Sequence, residues 1–84
     1  MATVELEPAA VAELERLTNP IHNRVLKILE RLENWPAVSG ARPLRGELAG
    51  HFRIRTGDYR IQFRGVAENV IVEKIGHRDH FYDD

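Results

Sequence analysis

Alternating arginines are the side chains of this sequence best suited to chemistry. They are Arg53, Arg55, Arg60 and Arg64. If they lie on two paired strands, they share one face, and neighbours across the pair are about 5 Å apart. Clustered guanidinium groups suit a phosphate, because each can donate two short charge-assisted hydrogen bonds to it. The pattern indicates either a phosphate-binding concavity or a solvated sheet face whose arginines pair with Glu47, Asp58 or Glu73.

A second group of reactive side chains lies near the C-terminus, in the run Gly76-His77-Arg78-Asp79-His80-Phe81-Tyr82. An imidazole, a guanidinium and a phenol could together take a proton from a hydroxyl, stabilise a phosphorane-like transition state and protonate a leaving group. No metal site is expected, because the chain has no cysteine and His77 and His80 lack a metal-ligand spacing. No cofactor is implied either.

Charge is concentrated in the middle of the chain. The 84 residues carry a formal net charge of −1, yet residues 42–64 hold six arginines against Glu47 and Asp58, a local balance of +4. The length fits one domain, residues 1–84. No apolar run reaches the roughly 18 residues of a membrane span, and no secretion leader is indicated. A cytoplasmic protein without a membrane partner is therefore expected.

The first half of the chain predicts a short strand and two helices. Alternation over Thr3–Leu6 indicates the strand, and Pro8 suits the first turn of the first helix. Apolar residues at positions 21, 25, 28, 32 and 35, spaced by four and three, predict a second helix. Asn19 is expected to be its N-cap and Pro20 its first residue. The two helices with their tight link predict a helical hairpin.

In the second half the apolar period changes to two. After a loop over 37–50, this period predicts strands over Phe52–Thr56, Tyr59–Arg64 and Val70–Ile75, the last of them central and ended by Gly76. The fold class is α+β: an N-terminal strand, a two-helix hairpin and a three-strand antiparallel meander. The helices should cover the sheet face opposite the arginines. The expected core residues are Ile28, Leu32, Ile54, Ile61 and Val72.

Four motifs in this order are similar to those of one known family. They are Pro43-Leu44-Arg45-Gly46, Phe52-Arg53-Ile54-Arg55, Gly57-Asp58-Tyr59-Arg60-Ile61, and Gly76-His77-Arg78 followed by Tyr82. Nearly the whole chain thereby resembles the RelE/ParE toxin superfamily, the RelE branch more than the ParE branch. RelE toxins are ribosome-dependent endoribonucleases that cut mRNA in the A site. ParE toxins poison DNA gyrase and are not nucleases.

The resemblance implies roles for three residues. Arg60 would hold the scissile phosphate, and Arg78 would stabilise the charge of the transition state. Tyr82 would stack on a base or assist proton transfer.

Two positions that carry lysines in the prototype RelE pattern are occupied by His51 and Arg53. An arginine stays protonated and is a poor base, so His51 or His77 becomes the candidate base. The RNA-binding residues that the resemblance and the basic segment imply are His51, Arg45, Arg53, Arg55 and Arg64.

Three functions stay open from the sequence. The first is a type II toxin that cuts ribosome-bound mRNA through attack of a 2′-OH on the adjacent phosphate. The second is a gyrase poison without nuclease activity, and the third is a member that only binds an antitoxin. The implied partners are a cognate antitoxin with an acidic, partly disordered segment, in a hetero-oligomer, together with the ribosome and mRNA. Ribosome-acting members are usually strongly basic, and this chain is not.

Overall fold

The computed structural model describes residues 1–81. Its helices are α1 (Pro8–Arg16) and α2 (Ile21–Arg31). Its strands are β1 (Thr3–Leu6), β2 (Arg42–Pro43), β3 (His51–Thr56), β4 (Tyr59–Val66) and β5 (Asn69–His77). The strands form one mixed sheet in the order β1-β5-β4-β3-β2, in which β1 runs parallel to β5 and the other pairs are antiparallel. Both helices lie on one side of this sheet.

The helix starts follow from the two prolines. α1 begins at Pro8, whose missing N–H is not needed in the first turn. The prediction of Asn19 as N-cap is wrong: Pro20, at φ −86° and ψ −3°, takes that position, and α2 starts one residue later. α2 ends at Arg31 and continues as a 3₁₀ turn over Leu32–Asn34. Within residues 1–81, no helix is long and apolar enough to cross a membrane.

The hydrophobic core fills the space between α2 and the sheet. Cross-strand pairs such as Ile54 with Ile61 and Phe63 with Val72 place their side chains on the helix side. All five expected core residues are buried, which confirms the predicted register. The buried set is Ala10, Val25, Ile28, Leu32, Ile54, Ile61, Phe63, Val70, Val72, Ile75 and Phe81.

Two details of the sheet differ from the predicted meander. The segment 37–50, predicted as loop, contributes β2, because Arg42 and Pro43 pair with the first half of β3. A proline is tolerated there since this strand lies at the sheet edge. Gly76 does not end the last strand: it pairs with Arg60, and β5 continues to His77.

α1 lies against the second half of β5, where β1 no longer pairs with it. The carboxylate of Glu13 accepts a hydrogen bond from the backbone N–H of Ile75, with 2.9 Å between Oε1 and the nitrogen. This N–H belongs to the part of β5 beyond the four residues that pair with β1. A side chain thus satisfies a backbone donor that would otherwise face the open edge.

Trp35 closes one end of the core. Its ring packs edge-on against Phe52 and Phe63, with centroids 4.7 and 5.1 Å away. It also approaches Gly65 of β4 so closely that a Cβ on this glycine would lie 2.8 Å from the Trp35 Nε1. Gly65 is therefore required by the position of the indole.

Candidate functional site

The predicted arginines share the sheet face that points away from the core. Cross-strand register pairs His51 with Arg64, Arg53 with Gln62, and Arg55 with Arg60. We call this surface the arginine face, defined by His51, Arg53, Arg55, Arg60 and Arg64. Its residues alternate with the buried ones of β3 and β4, as the period of two requires.

Glu73 neutralises one half of the arginine face. A register shift in the β4–β5 pairing leaves Glu73 as an extra residue of β5 between the partners of Gln62 and Phe63. Its Oε1 accepts hydrogen bonds from His51 Nδ1 at 2.7 Å and from Gln62 Nε2 at 3.2 Å. Its Oε2 accepts one from Arg64 Nη1 at 2.6 Å. The bulge thus brings a carboxylate among groups that were expected to bind RNA.

This network shifts two pKa values. Burial is the largest single effect on Glu73 and disfavours its charged form, but the hydrogen bonds from His51, Gln62 and Arg64 outweigh it and lower the pKa of Glu73. Arg64 also donates to Oε2 of Glu7 at 3.1 Å. The bonds to Glu7, and then to Glu73, raise the pKa of Arg64. Glu73 is therefore ionised at neutral pH, and Arg64 is engaged by two carboxylates.

The other half of the arginine face lacks such compensation. Arg55 and Arg60 lie directly opposite each other, and neither forms an ion pair with an acidic residue of the described chain. The Arg60 Nε is buried and has no hydrogen-bond partner within residues 1–81. A buried donor without a partner is costly, by about 1–3 kcal/mol. This half is therefore electrostatically suited to an anion.

The C-terminal turn borders Arg60. Gly76, the β5 partner of Arg60, carries no side chain, and a Cβ there would lie 3.5 Å from the ring of Phe81. Phe81 is buried, and the Lys74 ammonium lies 4.8 Å from its ring centroid. Lys74 and Gly76 point to the arginine face, because their β4 partners are Gln62 and Arg60. The residues after β5 therefore return to the same face.

The two predicted residues at the end of β5 are placed differently. His77 pairs with Tyr59, and the two rings meet edge-on with centroids 5.3 Å apart, so the imidazole lies on the opposite side of the sheet from Arg60. The backbone N–H of Arg78 donates to the carbonyl of Asp58 at 2.7 Å. The Arg78 guanidinium lies 3.5 Å from the Asp79 carboxylate and 3.8 Å from the Asp58 carboxylate, and it is exposed to solvent. Tyr82 lies outside the described residues.

Basic residues continue around the edge of β3. Arg55 lines a cavity of about 590 Å³ together with Arg31 and Arg42, and this cavity has no acidic lining residue within the described chain. Arg31 is fixed there by a hydrogen bond to the carbonyl of Ser39 at 2.6 Å. Arg45 is exposed in the loop before β3. The basic surface thus extends beyond the arginine face.

The sequence predicted Glu73 as a possible partner of the arginines, and Glu73 pairs with Arg64. The contact of Glu73 with His51 and the contributions of Glu7 and Glu13 were not predicted. One signal for Glu73 exists: the buried residues of β5 are Val70, Val72 and Ile75, so their spacing changes from two to three around it. An extra residue in a strand produces such a change. Glu7 and Glu13 leave no comparable pattern, because long-range contacts bring them to the sheet.

The chain is similar to known toxins over nearly its full length. The family model of the ParE toxin of type II toxin–antitoxin systems, parDE, matches residues 4–82. No curated protein sequence matches.

Solved structures extend this similarity. A chain of the toxin–antitoxin complex RelBE2 from Mycobacterium tuberculosis is 32% identical, with a TM-score of 0.79 and coverage of 92% of this chain and 91% of that one. The isolated RelE toxin of E. coli is 20% identical, with a TM-score of 0.77 and coverage of 92% and 84%. The RelB–RelE complex of Methanococcus jannaschii is 23% identical, with a TM-score of 0.77 and coverage of 93% and 94%. The last two share the fold.

The family match, the Mycobacterium relative and the sheet with its two helices agree with the motifs that the sequence presents. The chain belongs to the RelE/ParE superfamily of toxins from type II toxin–antitoxin systems.

Proposed function

We propose that this toxin is a ribosome-dependent mRNA interferase. The observation that carries the proposal is the position of Arg60. It lies directly opposite Arg55, forms no ion pair within residues 1–81, and is away from the carboxylates that hold His51 and Arg64. Directly opposite residues of a strand pair have Cβ atoms about 5 Å apart, so these two like charges repel each other in the free protein. A phosphodiester held by the outer guanidinium nitrogens of Arg60 and by Arg53, its diagonal neighbour across the strand pair, would offset this repulsion.

The reaction needs stabilisation of charge that develops at phosphorus. The 2′-OH oxygen attacks the adjacent phosphorus, the bond from phosphorus to the 5′-oxygen breaks, and the products are a 2′,3′-cyclic phosphate and a 5′-OH. Arg60 would hold the phosphate, and Arg78 would donate to the additional negative charge of the transition state. Donors aimed at such charge are worth on the order of 3 kcal/mol each.

The base assignment follows from the two faces of the sheet. A base has to take the 2′-OH proton on the side where the phosphate lies. His77 lies on the other side, against Tyr59, whereas His51 is on the arginine face, two positions from Arg53 in β3. We assign the proton-accepting role to His51. Tyr82, by family resemblance, stays a candidate for base stacking or proton transfer.

The dependence on the ribosome and on an antitoxin is part of the same proposal. The arginine face offers charge but few groups that would orient a nucleotide, so the ribosome would supply the positioning of mRNA. Arg45, Arg53 and Arg55 would contact RNA phosphates. The Mycobacterium relative occurs in a toxin–antitoxin complex. A cognate antitoxin with an acidic segment is the expected partner here, since carboxylates complement the uncompensated arginines.

A translating extract tests the proposal. Purified toxin is added, and the 5′ ends of mRNA fragments are mapped relative to the ribosomal A site. We expect cleavage by the wild type and a fall of about a hundredfold in Arg60→Ala and in Arg78→Ala. Lys27→Ala, an exposed change on α2 away from the arginine face, is the matched control. Cleavage by Arg60→Ala and Arg78→Ala at the wild-type rate would contradict the assignment.

The match to the ParE family model supports one alternative, a gyrase poison. A supercoiling assay with purified gyrase separates the two. Inhibition of gyrase without mRNA cleavage would favour the alternative. If neither target responds and growth is unaffected, while the chain still binds the product of a neighbouring gene, a member that only binds its antitoxin is favoured.

A further inference from the structure

His51 and Glu73 form the tightest contact between an imidazole and a carboxylate in residues 1–81. His51 Nδ1 lies 2.7 Å from Glu73 Oε1, and the side chains are 25% and 14% exposed. Gln62 and Arg64 hold the two carboxylate oxygens from β4. The carboxylate is therefore fixed by three donors before any ligand binds.

The protonation of His51 follows from the ionisation of Glu73. An ionised carboxylate accepts hydrogen bonds and has no proton to donate. Since the pKa of Glu73 is lowered, the hydrogen between the two residues belongs to His51 Nδ1. In the neutral ring, the other nitrogen, Nε2, then carries the lone pair. An isolated histidine has no such constraint on its tautomer.

We infer that Glu73 is a positioning residue that holds His51 in the Nδ1–H tautomer and thereby presents Nε2 as the proton acceptor for the RNA 2′-OH. This inference rests on the proposed function. In the step, the 2′-OH proton moves to Nε2 while its oxygen bonds to phosphorus, and the leaving 5′-oxygen must receive a proton from another group. The imidazolium that forms stays next to the negative charge of Glu73, which stabilises it.

The surroundings of His51 allow a ligand to reach it. His51, Gln62 and Glu73 line an open groove of about 530 Å³, whose other charged lining groups are Glu13 and Arg16 of α1 and Lys74 of β5. Arg64, opposite His51, is already held by Glu7 and Glu73. Arg53 follows His51 on the same face, about 7 Å along β3. A phosphate held between Arg53 and Arg60 would thus leave its 2′-OH neighbour within reach of the imidazole.

The tautomer can be measured without any assay of activity. Long-range ¹⁵N–¹H NMR spectra of labelled protein report which ring nitrogen of His51 carries the proton. We expect Nδ1–H in the neutral ring of the wild type and the ordinary Nε2–H preference in Glu73→Gln. Glu68→Gln, in the turn before β5, should leave the spectrum unchanged. A neutral His51 with its proton on Nε2 in the wild type would overturn the inference.

Cleavage rates then test the role in the reaction. We expect His51→Ala to lose about a hundredfold and to be partly restored by added imidazole. Glu73→Gln should lose at least about tenfold in rate, since the imidazolium that forms loses its charged partner. Circular dichroism controls for folding, and Glu73→Met provides a second variant without the carboxylate if the glutamine variant fails to fold.

The outcomes separate the two proposals. If the wild type does not cut ribosome-bound mRNA, the proposed function fails. If the wild type cuts and Arg60→Ala does not, but a folded variant without the Glu73 carboxylate keeps the wild-type rate, the function stands and the role of Glu73 is refuted. A purely structural ion pair would lower stability without lowering the cleavage rate of the folded protein.

Discussion

Arg55 and Arg60 face each other across β3 and β4 although both are positively charged. Like charges directly opposite each other in a sheet are destabilising, whereas most cross-strand pairs are neutral or complementary. The free toxin therefore retains a strain that a bound anion would relieve. The pair therefore lowers the stability of the free protein, although the proposed activity requires it.

Replacing Arg60 should accordingly stabilise the free protein while it inactivates the toxin. Arg60→Met keeps much of the aliphatic stem and removes the repulsion, so we expect a gain of up to about 1 kcal/mol in the free energy of unfolding. Urea unfolding curves measure this gain. Added salt should stabilise the wild type more than the variant. A loss of stability in Arg60→Met, with no difference in salt response, would argue against repulsion.

Glu73 should make stability depend on pH below neutrality. Its pKa is lower in the folded state than in the unfolded state, so its contribution is complete above the unfolded value of about 4.5 and is lost as the pH falls through the folded value. Glu73→Gln should lower the free energy of unfolding at pH 7 by about 1–3 kcal/mol. The free energy of unfolding of this variant should also vary less than that of the wild type between about pH 5 and pH 3, where ordinary carboxyl groups titrate.

Glu68→Gln is the matched control for that experiment, because Glu68 lies in the turn between β4 and β5. Its unfolding profile should run parallel to that of the wild type. If Glu73→Gln also runs parallel to the wild type across this range, the network around Glu73 does not stabilise the fold.

Ile61 should be among the residues most sensitive to truncation. It is fully buried and pairs with Ile54 on one side and Ile75 on the other. Ile61→Ala should destabilise the protein by about 2–5 kcal/mol, measured by thermal and urea unfolding. Val66→Ala, at a side chain that is 49% exposed, should change stability by less than about 0.5 kcal/mol. Equal effects of the two changes would contradict the register.

Gly65 should not tolerate a side chain while Trp35 is present. An added Cβ would meet the indole at 2.8 Å, so Gly65→Ala should destabilise by about 1–3 kcal/mol and change the fluorescence of the single tryptophan. Trp35→Phe should partly relieve the effect of Gly65→Ala, and a double-mutant cycle measures this coupling. Additive effects in the cycle would show that the two residues do not interfere.

The periodic patterns of the chain predicted most of the fold. Apolar spacings of three and four predicted α2, and the period of two placed Ile54 and Ile61 inside and the arginines outside. The parallel β1–β5 pairing and the two-residue β2 were not predicted, because their partners are distant in sequence and short strands carry little pattern. Helix boundaries are set by local backbone angles, so the N-cap was misplaced by one residue at Pro20.

The site was predicted in its chemistry more than in its geometry. Alternation was enough to gather Arg53, Arg55 and Arg60 on one face. It could not show that a bulge would bring Glu73 to His51, nor that continuation of β5 would turn His77 towards Tyr59. Both contacts depend on which residues of β4 and β5 lie opposite each other, and a shift of this pairing by one residue moves a side chain to the other face of the sheet.

The hydrogen bond from Ile75 to Glu13 also bears on how this molecule meets other chains. Unpaired strand edges attract further strands and lead to aggregation. Here α1 covers the second half of β5 and engages one of its edge donors. Another chain cannot extend the sheet at that position without first displacing α1. Within residues 1–81, the other unpaired edges of the sheet are the outer sides of β1 and β2 and the part of β3 beyond β2.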